Sequence, residues 1–157
     1  MLVLDIPGYE TIKVKNIVFD FNGTLAVDGV LVAGVNEKIT ALSERGVHLY
    51  VLTADTFGTA VRQCQNLPLD IHVFSQENIS ANKMQFVQTI GPETTITVGN
   101  GRNDLAMFEK SILSICIIGS EGCCAKSMNA ADIIVSNPFD ALELLLKNDR
   151  IVATLRT

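Results

Sequence analysis

The sequence contains no tract of lysine and arginine, no apolar run long enough to cross a bilayer and no pair of CxxC motifs. Each absence removes a class of function. Twelve basic residues stand against 17 acidic ones, for a formal net charge of −5. The basic face that a general nucleic-acid binder needs is missing, so no nucleic-acid partner is expected. A phosphorylated substrate stays compatible, because one lysine and a metal ion can offset the field locally. The longest apolar stretch, ILSICIIG, falls far short of the roughly 20 residues of a membrane helix. The opening residues, MLVLDIPGYE, have neither a basic region nor a long apolar core. No signal peptide and no membrane partner are expected, and a cytoplasmic location is.

The four cysteines, Cys64, Cys116, Cys123 and Cys124, lack the spacing of a zinc site. Cys64 and Cys116 read as apolar packing residues, and the vicinal pair Cys123-Cys124 is not read as a redox centre. Histidine is nearly absent too. His48 and His72 sit in separate strand-like runs and read as partly buried strand residues rather than ligands or bases. No internal repeat or low-complexity linker is visible, so a single domain over 1–157 is expected.

What is present is a rhythm. With 48% hydrophobic residues the chain has enough apolar surface for a full core. VLDI, Pro7-Gly8 and TIKV read as an N-terminal hairpin. NIVFD reads as a buried strand ending at Asp20, followed by a short hairpin over LAVDGVLVAG. A helix is expected over 36–45, closed by Gly46, then the strand VHLYVLT ending at Thr53. Thr56 is expected to cap a helix with Phe57, Ala60, Val61 and Cys64 on one face. The strand DIHVF, a helix over 80–90, the strand TTITV, the loop GNGRND and the short helix LAMFEK follow. ILSICII, a helix over 121–130 with Cys124 and Met128 inward, the strand DIIVS and two C-terminal helices complete the chain. Apolar strands alternating with amphipathic helices predict an α/β fold with a mainly parallel central sheet between helical layers.

In such a sheet ligands bind beyond the carboxyl ends of the strands. Three of those ends carry polar chemistry: Asp20, Thr53 and the loop from Asn100 to Asp104. Each has a plain alternative. Asn22-Gly23 can be a hairpin turn, Thr53 a loop residue, Lys83 a solvated helix charge, and Asn103-Asp104 a helix cap. Together they meet the needs of phosphoryl transfer to a carboxylate. Asp20 supplies a nucleophile and a metal oxygen. The N–H groups around Asn22 and Gly23 and the Thr53 hydroxyl suit phosphate oxygens. Lys83 supplies a fixed cation, and Asn100 and Asp104 further oxygens for Mg²⁺.

DFNGT, VLT, Lys83 and GNGRND, in this order, resemble the four motifs of the haloacid dehalogenase superfamily, over roughly residues 15 to 147. GNGRND is most similar to the corresponding loop in the phosphorylation domain of P-type ATPases, so the chain looks like a soluble phosphatase related to that domain. The resemblance implies a three-layer Rossmann-like fold with a hairpin flap. It implies catalytic roles for Asp20, Asn22, Thr53 and Lys83, and Mg²⁺ held by Asp20, Asn22, Asn100 and Asp104. It also implies substrate contacts at Phe21, Asn22, Gly23, Thr24, Thr53, Ala54 and Asn103. Two positions depart from the pattern. Asn22 stands where most phosphatases of the superfamily have an acid–base aspartate, and losing general acid–base help costs about 10²–10⁴ in rate. Asn100 stands where an aspartate is usual, which removes a charge from the metal site.

The activity implied is hydrolysis through an aspartyl-phosphate at Asp20, of a substrate with a good leaving group. A phospho-acceptor or phosphotransferase domain, and a non-catalytic relative that binds phosphate or protein, are the alternatives. A response-regulator receiver fits poorly, since its phosphorylated aspartate lies on a later strand. The gaps from Asp20 to Thr53 and from Thr53 to Lys83 are too short for a cap domain. An open site suits a phosphorylated small molecule or a phosphoprotein, and the N-terminal hairpin is a candidate either for a surface of self-association or for covering a sheet edge.

Overall fold

The computed structural model describes residues 1–55 and 57–157. Its strands are β1 (Leu2–Asp5), β2 (Thr11–Val14), β3 (Asn16–Phe19), β4 (Ala26–Val27), β5 (Val30–Leu31), β6 (His48–Thr53), β7 (Asp70–Val73), β8 (Thr95–Gly99), β9 (Leu113–Ile117) and β10 (Ile133–Val135). Its helices are α1 (Val35–Ser43), α2 (Thr59–Cys64), α3 (Ile79–Ile90), α4 (Leu105–Phe108), α5 (Ala125–Ala130), α6 (Pro138–Leu146) and α7 (Asn148–Leu155). Six strands form one sheet in the order β10-β9-β8-β3-β6-β7, and every pair in it is parallel.

The central strands are apolar on both faces because helices cover both. All four residues of β3 and all five of β8 and β9 are buried. On one face Ile17, Phe19, Val51 and Val98 pack with Val35, Ile39 and Leu42 of α1 and with Ala141, Leu142 and Leu145 of α6. On the other, Val18, Leu52 and Cys116 pack with Val87 of α3 and with Met107 and Phe108 of α4. From β3 the chain runs outward through β6 to β7, then α3 carries it back across to β8 on the other side of β3. The reversal falls between β3 and β8. Such a switch point opens a crevice at the carboxyl ends. Phe19 sits opposite both Val51 and Val98, so Asp20, Thr53 and Asn100 reach that crevice together.

The expected N-terminal hairpin forms as β1 and β2. It pairs with neither edge strand of the main sheet. Leu2, Leu4, Ile12 and Val14 bury one of its faces in the core, and Lys15 N–H donates to the Thr94 carbonyl just ahead of β8. The hairpin therefore closes the amino ends of the central strands, away from Asp20. The second hairpin, β4 and β5, turns through Asp28 (φ 51°) and Gly29 (φ 76°). Two successive positive φ values make the tight turn whose twist matches a hairpin.

Some local expectations need correction. Thr56, expected to cap α2, lies outside the described residues. The helix begins after Gly58, whose φ of 75° is left-handed. Six residues make under two turns, and only Ala60 and Cys64, one turn apart, reach the core. Val61 faces water, and Phe57 precedes the helix and is exposed. Residues 121–124 are not helical. A turn at Gly122 (φ 80°) and a bond from Cys124 N–H to the Asn100 carbonyl (2.9 Å) delay α5 to Ala125. Its fully buried side chain is Ser127, while Met128, expected inward, is partly buried against the core. His48 is exposed at the start of its strand, whereas His72 is half-buried against the Phe86 ring.

Candidate active site

Four loops meet at the crevice, and each is held by its own sequence. The loop after β3 turns at once because the Phe21 carbonyl accepts the N–H groups of Thr24, Leu25 and Ala26. Gly23 (φ 78°) makes that turn, and a side chain there would run into the Asn100 amide. The Asn22-Gly23 pair is therefore the entry to the flap, and the flap's own turn is Asp28-Gly29. The loop after β8 is closed by Asp104, whose Oδ2 accepts from Asn100 N–H (3.0 Å) and Gly101 N–H (2.9 Å). Asp104 thus organises the loop that carries it, as well as facing Lys83.

Lys83 on α3 is fully buried. Its Nζ lies 2.6 Å from Asp20 Oδ1 and 2.7 Å from Asp104 Oδ1. A solvated helix charge is excluded by that burial. The lysine bridges two carboxylates, and the three ionised groups together carry one net negative charge. Burial raises the Asp20 carboxyl to about 6, repulsion from Asp104 adds to the rise, and Lys83 opposes it. For Lys83, burial acts against the charge, but the two carboxylates outweigh it and the ammonium is held above its usual range. Lys83 takes Asp20 Oδ1, no other side chain among the described residues bonds this carboxylate, and the Phe21 backbone N–H also lowers its pKa.

A depression of about 380 Å³ opens over this group, lined by Asp20, Asn22, Thr53, Ala54, Asn100, Gly101 and Asn103, with Asp55, Phe57 and Gln76 on its rim. Several residues named from the sequence thus share one surface. Others act from behind it. The Phe21 side chain is buried in the apolar core, so only its backbone can meet a ligand. The Thr24 hydroxyl is buried and donates to Asn100 Oδ1 (3.4 Å). Gly23 N–H donates to the Ala26 carbonyl (2.7 Å), which leaves Asn22 N–H as the donor of the two without a backbone partner among the described residues. Asn100 Nδ2 donates to the Gly122 carbonyl (3.1 Å), a bond that a carboxylate at this position would lack.

Asp55, Phe57, Gln76 and Gly101 are part of the depression without having been read from the sequence. Asp55 had a signal: an aspartate two residues past a strand end, ahead of a helix, commonly bonds the backbone beyond it. It does so here, accepting Phe57 N–H (3.1 Å) and Ala60 N–H (2.6 Å). Gln76 had none.

Among the described residues no group of three or more His, Cys, Asp and Glu side chains is placed to hold a metal. The available donors are the carboxylates of Asp20 and Asp104, the Asn100 amide oxygen and the Asn22 carbonyl. That is an all-oxygen set with two acids, and one lysine faces both of them. Mg²⁺ takes one or two carboxylates and completes its shell with carbonyls, phosphate and water, so the residues fit it. Sulfur stands close by but apart. Cys116 Sγ and Cys123 Sγ are 3.0 Å from one another, and burial pushes the Cys116 thiol up.

No family model matches the chain. An uncharacterised protein of Methanocaldococcus jannaschii, MJ0073, is 34% identical over 94 residues, which are 57% of this chain and 99% of that protein. A soluble P-type ATPase-like phosphatase of the same organism is 25% identical over 126 residues, 79% of this chain and 46% of its own length. The chain therefore spans less than half of that second relative. A 3-deoxy-D-manno-octulosonate 8-phosphate phosphatase from Moraxella catarrhalis, solved with magnesium, phosphate and its sugar, superimposes with a TM-score of 0.71 at 17% identity, over 91% of this chain and 94% of that one. A phosphoserine phosphatase solved as a phospho-aspartyl intermediate analogue gives 0.65 at 17% identity, over 86% of this chain and 99% of that one. Fold and sequence similarity converge: the chain has the fold of haloacid dehalogenase-like hydrolases without a large cap, and it belongs to the same family as MJ0073.

Proposed function

We propose that the protein is a Mg²⁺-dependent phosphohydrolase that works through an aspartyl-phosphate at Asp20. The observation that carries this reading is the buried Asp20–Lys83–Asp104 group at the switch point of the sheet, with Asp20 lining the open depression. The family and the chemistry named for its relatives support it.

In this reading Asp20 Oδ2 attacks phosphorus, the bond to the leaving oxygen breaks, and that oxygen departs with the electron pair. Lys83 holds the other Asp20 oxygen and keeps the carboxylate turned toward the substrate. Asn22 N–H and the Thr53 hydroxyl bond the equatorial phosphoryl oxygens, where charge sits in the transition state. Asp20, Asp104, Asn100 and the Asn22 carbonyl would hold Mg²⁺, which would supply positive charge against the phosphate. Water then cleaves the acyl phosphate and restores Asp20. Asn22 can neither give nor take the proton that a carboxyl group would, so the leaving group departs as an anion and water attacks without a strong base nearby. An open crevice over this group suits a phosphorylated small molecule.

Weak deprotonation of the attacking water favours a second reading, in which the phosphorylated Asp20 persists as a signal. One experiment separates them. Hydrolysis of an aryl phosphate is measured with Mg²⁺ and with chelator, for the wild type and Asp20→Asn, with mass spectrometry of acid-quenched protein. Metal-dependent turnover that vanishes in the variant is expected. A long-lived adduct without turnover selects the second reading, and turnover that survives in Asp20→Asn overturns both.

A further inference from the structure

We infer that Phe57 is the platform for the leaving group, and that the substrate is a phosphate of a planar aromatic alcohol. The inference rests on Asp20 being the nucleophile and names the substrate class for that site. Phe57 is 84% exposed, more than any other large hydrophobic side chain described. Yet it stands on the rim of the depression that holds Asp20, and the remaining rim and lining side chains are mostly polar, including the amides of Asn22, Gln76, Asn100 and Asn103.

Its backbone is held with some care. Thr53 Oγ1 accepts Asp55 N–H (3.1 Å), Asp55 Oδ1 accepts Phe57 N–H (3.1 Å), and Arg62 Nη1 donates to the Phe57 carbonyl (3.1 Å). A short relay of bonds thus runs from a site residue to Phe57, while the ring itself stays in water. An aromatic ring kept in solvent adds little to folding. Its flat face is suited to stacking on another ring.

A separate observation selects the same class of ligand. Asn22 cannot protonate a departing oxygen, which disfavours simple alkyl phosphates. A phenolic oxygen, with a pKa of about 10, departs as the anion far more readily than an alkoxide. Departing-group chemistry at Asn22 and apolar surface at Phe57 therefore point to one ligand type from two directions.

The test uses the whole chain with Mg²⁺ and two substrates with good leaving groups, one with a ring and one without: 4-nitrophenyl phosphate and acetyl phosphate. Phe57→Ala is expected to raise KM for the aryl ester roughly 3- to 12-fold, the range of an aromatic pair contact, with kcat nearly unchanged and acetyl phosphate unaffected. Phe57→Tyr restores the wild-type KM. Equal effects on both substrates, or none on either, overturn the inference. Calorimetric binding of phenylphosphonate reads the ring contact without turnover. Phe57→Ala should weaken it by the same factor while leaving inorganic phosphate binding unchanged, and equal phenylphosphonate affinity for the two proteins overturns the platform. Activity that survives Asp20→Asn overturns the nucleophile reading instead, whatever Phe57 does.

Discussion

Asp20 sits in conflict with its surroundings. Burial and Asp104 raise its carboxyl from 3.8 to about 6 even though Lys83 is in contact. A carboxyl whose folded value is raised binds protons more readily in the native state. Metal-free protein is therefore expected to lose stability as pH rises through the interval between those two values. Asp20→Asn abolishes the titration. In chelator the stability of the wild type relative to this variant should fall as pH rises from about 4 to 7. Urea unfolding at both pH values checks this, and a difference that does not change with pH contradicts it. Asn22 is the other residue under test. In the proposed mechanism Asn22→Asp places a carboxyl beside the leaving oxygen, and a rate gain of roughly 10²-fold is expected for alkyl phosphates, with a smaller one for aryl phosphates. Initial rates on the two ester types decide it. Both positions were legible in DFNGT. The 2.6 Å contact with Lys83 was not, because it joins residues 63 apart in sequence.

At the scale of elements, regular pieces were readable and their ends were not. The α6 start was clear from Asn137-Pro138. Asn137 Oδ1 accepts Asp140 N–H (2.9 Å), and proline follows at the first helical position, where it has no hydrogen bond to lose. Asn137→Ala should cost about 1 kcal/mol and lower Tm by roughly 2–4 °C, read by thermal unfolding, with activity unchanged. By contrast, the start of α5 was placed too early. Residues 121–124 read as helical from the sequence, and what keeps them out of the helix is the turn at Gly122 and a bond from Cys124 to Asn100, an interaction across separate loops. The short α2 failed similarly. Its apolar spacing suggested a broad inward face, but two residues reach the core and Phe57 is turned to the rim of the site.

Across the whole molecule, α1 and α6 are tied by a charged cluster. Glu143 of α6 accepts from Lys147 (2.7 Å) and from Lys38 of α1, with Arg150 3.8 Å away. The bond from Lys147, then that from Lys38, lowers its carboxyl from 4.5 to about 2. A depressed carboxyl stabilises the fold above its unfolded value, and that contribution is lost as pH falls from about 4.5 toward 2. Lys38→Met should therefore narrow the stability difference between pH 5 and pH 3 relative to the wild type. Denaturant midpoints at the two pH values report it, and an unchanged difference rules the cluster out as an acid-sensitive link.

The sequence alone determined the alternation of strand and helix, the parallel sheet and the identity of the chemical groups at the strand ends, because these depend on periodicity and on residue type within short windows. Tertiary structure alone decided that β8 returns beside β3, so that Lys83 lies between two carboxylates, that the N-terminal hairpin closes the amino ends rather than an edge, and that Phe57 stands on the rim of the depression that holds Asp20. The physical reason is that strand order and the convergence of loops depend on how helical crossovers pack on two faces of one sheet. That packing energy is shared by side chains far apart in the chain, and no local pattern records it.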